Sequence, residues 1–116
     1  MIKRNEDHKV ESAEHMFGEE GSVVFKRIAE TADDLYGKGR IFSEVTLEKD
    51  CGLGWHVHQG DGEFYYVVSG EAEYSDNGVM PVLKAGDPAF CPNGEGHSVK
   101  NKNDEPFVFI ALVIYD

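Results

Sequence analysis

The stretch Trp55-His56-Val57-His58-Gln59-Gly60-Asp61-Gly62-Glu63-Phe64-Tyr65-Tyr66-Val67-Val68-Ser69-Gly70 restricts the fold of this chain more than any other. Side chains alternate between the faces of an extended strand, so His56 and His58 point the same way and can chelate one ion. Gly60-Asp61-Gly62 reads as a turn, and Glu63 opens the returning strand. The chain therefore needs a β architecture in which two strands present these donors to one interior. Two imidazoles and a carboxylate suit iron, manganese, nickel, cobalt, copper or zinc better than calcium or magnesium, which prefer oxygen shells.

A second stretch complements the first: Gly86-Asp87-Pro88-Ala89-Phe90-Cys91-Pro92-Asn93-Gly94-Glu95-Gly96-His97-Ser98-Val99-Lys100-Asn101. Together they resemble the paired motifs of the cupin superfamily. The first pattern is met by His56, His58, Glu63 and Gly70, and the second by Gly86, Pro92, Gly94, His97 and Asn101. A His-x-His pair alone is a weak signal, but both patterns in order satisfy many spaced positions at once. One departure is Asp50, which stands where the family usually has glycine, with Gly52 and Gly54 nearby; it puts the shape of the turn before His56 in question. The resemblance covers roughly residues 40–115. It implies an all-β fold, the double-stranded β-helix or cupin jelly-roll barrel. It also implies one divalent transition metal, manganese, iron, nickel or zinc, held by His56, His58, Glu63 and His97. Four such ligands leave two positions of an octahedron open, which marks catalytic rather than structural metal sites.

At 116 residues the chain has room for one domain. Residues 1–39 read as an N-terminal arm and first strand of that domain, and residues 40–116 as the barrel. Thirteen glycines and four prolines among short apolar runs agree with many turns. The net charge of −11 argues against nucleic acid or an anionic membrane as partner. It does not exclude an anionic small ligand, because a divalent ion among three neutral histidines and one carboxylate leaves a local charge of +1. Cys51 and Cys91 are too few for a disulfide scaffold, and no apolar leader or membrane-length segment is present, so a cytoplasmic location is expected.

Along the chain, residues 10–17 are weakly patterned and read as either helix or extended arm. Ser22–Ile28 and Arg40–Leu47 read as strands, the latter with Ile41, Ser43, Val45 and Leu47 toward the core. Asp33–Tyr36 reads as a helical turn. Counting by two from Glu63 puts Tyr65 and Val67 on the donor face, which makes Tyr65 the candidate catalytic residue, while Tyr66 on the other face needs cover. Pro106–Tyr115 is apolar on both faces and is expected to be buried on both. That burial, with the habits of small cupins, points to a homodimer.

Two functions are consistent with these features. One is a small metalloenzyme acting on a small polar or carboxylate-bearing substrate by oxygenase, decarboxylase, isomerase or lyase chemistry. Its acid or base candidates are Tyr65 and Glu44, and its carboxylate clamps Arg27 or Arg40. The other is a non-catalytic small-molecule-binding or sensor protein, which a cavity lined by apolar groups and Tyr65 alone would favour. The fold does not choose between them.

Overall fold

Short apolar runs between turns give ten strands, in a computed structural model that describes all of residues 1–116. The strands are β1 (Val10–Glu14), β2 (Ser22–Ala29), β3 (Gly39–Leu47), β4 (Gly52–Val57), β5 (Asp61–Ser69), β6 (Glu71–Asp76), β7 (Val82–Lys84), β8 (Pro88–Cys91), β9 (Gly96–Lys100) and β10 (Phe107–Tyr115). They form an antiparallel sheet in the order β1-β2-β3-β10-β5-β8 and a second in the order β4-β9-β6-β7. The inner faces of the two sheets pack on each other through Val45, Leu47, Leu53, Val67, Tyr74, Val99, Phe107 and Phe109. This is the double-stranded β-helix. No helix is long and apolar enough to cross a membrane.

Of the two readings of residues 10–17, the extended one holds for Val10–Glu14, which pairs with β2 from Val10↔Lys26 to Glu14↔Ser22. A helix would bring Val10, Ala13 and Phe17 to one face, but Val10 and Phe17 stay mostly exposed and offer no stripe to bury. The expected core face of β3 is observed, with Ser43, Val45 and Leu47 fully enclosed and Ile41 half-buried. Asp50 takes φ +64°, the left-handed conformation that glycine adopts most readily and aspartate tolerates, so the departure at this position keeps the turn.

This chain encloses β10 on one face only. Phe107, Phe109, Ala111 and Val113 are buried, but Val108, Ile110 and Leu112 on the other face are only half-buried, because no further layer of this chain covers them. Register places Phe42, Leu112, Phe64 and Phe90 side by side across β3, β10, β5 and β8. Phe64 and Phe90 stack with ring centroids 4.3 Å apart. Phe64, Tyr66 and Val68 are 41%, 52% and 48% exposed, so the outer face of the larger sheet presents a contiguous apolar surface.

Candidate metal centre

The donors reach one point from three strands. β4 pairs with β9, with His56 opposite His97, and one extra residue between Leu53 and His56 bulges the ladder just before the first histidine. His58 follows β4 and is pinned by the loop before β9. It donates its N–H to the Glu95 carbonyl at 3.0 Å and accepts the Gly94 N–H at 2.8 Å. Gly94 has φ +91°, so a side chain there would strain the turn that holds His58. Glu63 comes from β5 in the other sheet, near the mouth of the barrel.

All four expected donors converge. His58 Nε2 lies 3.1 Å from His97 Nε2, and His97 Nε2 lies 2.9 Å from His56 Nε2. Glu63 Oε1 is 3.3 Å from His58 Nε2 and 3.2 Å from His97 Nε2, and all four donor atoms lie within 4.8 Å of one another. Neighbouring donors of one ion, each about 2.1 Å from it, are about 3.0 to 3.4 Å apart, which is the spacing found.

The outer nitrogens orient the inner ones toward Glu63. His56 Nδ1 donates to the Gly54 carbonyl at 2.8 Å, and His58 Nδ1 to Asp61 Oδ1 at 2.6 Å. His97 Nδ1 meets the Tyr74 hydroxyl at 2.8 Å. An imidazole that holds its proton on Nδ1 turns a bare lone pair inward on Nε2. Without an ion, protons on the Nε2 atoms of His58 and His97 bridge to the buried Glu63 carboxylate, and a divalent cation among the four donors takes the place of those protons. The residues present therefore fit a divalent transition ion, and ligand type leaves its identity open.

Electrostatics follow from the same contacts. Burial pushes the Glu63 carboxyl up, but hydrogen bonds from His58 and His97 outweigh it and hold the group below the usual carboxylate range. The Glu63 hydrogen bond raises His58 against the effect of burial, whereas burial lowers His56. Asp61 is likewise penalised by burial but held low by His58 and Arg40, whose Nε–H it accepts at 2.9 Å. Burial raises the Tyr65 phenol well above its ordinary value and the Cys91 thiol to about 11, so both stay protonated near neutrality.

A cavity of about 80 Å³ opens on the donors and is walled mainly by Phe25, Ile41, Val45, Leu53, Phe109 and Val113. Besides His56, His58 and Glu63, its hydrogen-bonding side chains are Arg40 and Tyr65. Tyr65 packs its ring 5.1 Å from that of His97 and 4.1 Å from that of Phe109. Of the candidate clamps, Arg40 reaches the cavity and Arg27 does not, being paired with Glu11 at 2.9 Å. Glu44 faces outward between Lys26 and Ile110 and takes no part. Asn101, the last residue of the second motif, holds the Leu47 and Glu105 carbonyls rather than the site. Sequence reasoning missed Asp61, Tyr74 and Phe17. Asp61 stood out only as a turn residue, although its place three residues after His58 was a usable signal.

The chain matches the cupin domain family over residues 43–115. It is 32% identical over 114 residues to the oxalate-binding protein of Thermotoga maritima, covering 98% of this chain and 93% of that one. It is 31% identical over 98 residues to oxalate decarboxylase OxdC of Bacillus subtilis, covering 80% of this chain but only 25% of the longer enzyme. A crystal structure of a Thermotoga maritima protein described as a predicted oxalate decarboxylase superimposes over the full length of both chains, with a TM-score of 0.94 at 31% identity.

Proposed function

The chain belongs to the cupin domain family, and from that premise we propose that it holds one divalent transition ion, manganese, iron, nickel or zinc, between His56, His58, Glu63 and His97 and uses it to chelate a small carboxylate of the oxalate class. The observation that carries this reading is the small apolar cavity on the donor cluster, with Arg40 as the cation at its edge. A water occupies roughly 10–15 Å³ of such space, so the cavity suits a ligand of about six non-hydrogen atoms. The ion supplies Lewis acidity and positive charge when bound. The guanidinium of Arg40, fixed through Nε by Asp61, leaves its terminal nitrogens to pair with a carboxylate. The names of the two relatives support a carboxylate ligand, and the relative matched over nearly its whole length is an oxalate-binding protein.

Binding is the leading role, because outside the donors the cavity offers no group that titrates near neutrality. Turnover is the second reading. It is favoured by Tyr65, a protonated phenol that lines the cavity and could donate a proton to a substrate or stabilise charge on it. In either role the protein works in the cytoplasm as a homodimer joined through the apolar outer face of the larger sheet.

Elemental analysis of untagged protein beside His58→Ala tests the site, and calorimetric titration of the loaded protein with oxalate tests the ligand. One ion per chain, lost in the variant, with saturable oxalate binding is expected. No stoichiometric metal under metal-replete conditions overturns the reading. Formate release from oxalate, abolished by Tyr65→Phe with binding retained, selects the enzymatic role.

A further inference from the structure

One residue that lines the cavity beside the donors, Phe17, lies outside the family-matched segment. Between β1 and β2 the chain forms a tight strap, His15–Gly21, that crosses β4 at the mouth of the barrel. The His15 N–H donates to the Gly21 carbonyl at 2.9 Å, and the Gly18 N–H to the His15 carbonyl at 3.0 Å. Met16 packs against the core. Glu19 accepts the Lys100 ammonium at 2.9 Å and so ties the strap to β9. A side chain on Gly54 would put its Cβ 2.1 Å from the Phe17 carbonyl oxygen, so the strap lies this close only because residue 54 is glycine.

At its centre the Phe17 ring stacks on His56, with centroids 4.1 Å apart and planes 15° from parallel. It does so from a left-handed backbone, φ +54° and ψ +32°, two residues after His15 at φ +53°. Bulky residues pay for that conformation, and such strain persists where the surroundings hold it in place. Little hydrophobic gain compensates, because Phe17 is still 55% exposed. The same residue lines both the inner cavity of about 80 Å³ and an outer recess of about 220 Å³, whose other lining residues are Arg40, His56, Val57, His58, Gln59 and Asp61. Phe17 shares the wall common to the two spaces with Arg40, His56 and His58, and its ring covers His56 there.

We propose that Phe17 is a specificity-determining residue, an aromatic partition that limits the length of the ligand and shields the metal position from solvent. The inference rests on the carboxylate reading above. A ligand of oxalate size fits behind the ring, and a longer dicarboxylate must displace it. Removing the ring joins the two spaces, so that a longer ligand extends past Arg40 toward Val57 and Gln59.

The test uses the full chain loaded with Mn²⁺, comparing wild type, Phe17→Ala, and Phe17→Leu, which keeps bulk. Two quantities are read: water-proton relaxation by the bound Mn²⁺, and calorimetric affinities for oxalate and succinate. Phe17→Ala is expected to keep Mn²⁺ bound, to raise the relaxation enhancement, and to lower the preference for oxalate over succinate by about tenfold or more, the scale on which a pocket wall discriminates chain length. Phe17→Leu is expected to fall between. Unchanged relaxation and unchanged preference in Phe17→Ala overturn the proposal. If wild type binds Mn²⁺ but neither dicarboxylate, the carboxylate reading fails and the relaxation comparison alone decides the shielding role. If wild type binds no Mn²⁺, both fall.

Discussion

His58 Nδ1 lies 2.6 Å from Asp61 Oδ1, three residues further on, and the other oxygen of that carboxylate accepts the Arg40 Nε–H. The first residue of β5, read from the sequence as part of a turn, thus fixes the tautomer of one donor and the direction of the cavity's cation. Both depend on β5 beginning at Asp61, two residues before the expected start at Glu63.

Asp61→Asn is therefore expected to weaken metal binding by about tenfold and Asp61→Ala by up to about a hundredfold, the range for loss of a partner behind a ligating histidine. Competition with a chromophoric chelator measures it. Equal affinity in wild type and Asp61→Ala would show that the tautomer of His58 is set elsewhere.

Tyr74→Phe removes the hydroxyl against His97 Nδ1 and leaves that nitrogen buried without its partner. A loss of about 1–3 kcal/mol in the unfolding free energy of the metal-free protein is expected, read from urea denaturation. Tyr66→Phe, on the exposed face, serves as the comparison and should cost little.

Proton and metal compete for the centre. In metal-free protein the His58–Glu63 pair stabilises the fold above the ordinary carboxylate value of 4.5 and below the ordinary imidazole value of 6.5. That contribution is lost as pH falls through the lowered Glu63 value or rises through the raised His58 value. A bound ion needs His58 neutral, so the gain in Tm on adding Mn²⁺ should grow from about pH 5.5 to about pH 7.5. A gain that is flat across this range would place the ion away from His58.

The apolar outer face predicts the assembly. Light scattering should give twice the chain mass of 12.9 kDa for wild type, and Phe64→Asp, which sets a charge between Leu112 and Phe90, should give monomers that still bind metal. A monomeric wild type removes the homodimer from the proposed function.

What the sequence by itself determined is what short-range periodicity can carry. Alternation placed His56 and His58 on one side, Glu63 and Tyr65 together on the returning strand, and Val45 and Leu47 inward, because a strand's side-chain period is two wherever the strand lies. Motif spacing added His97 and the loop that holds it. Tertiary structure alone decided which groups support these residues. Tyr74 meets His97 across 23 residues of sequence, and Phe17 reaches His56 through a strap held in part by Lys100, 81 residues from Glu19. It also brought Arg40 rather than Arg27 to the cavity, and it left one face of β10 uncovered, since an apolar run does not tell whether its second cover comes from the same chain. Such contacts form between residues distant in sequence once two sheets close on each other, and no local pattern encodes their partners.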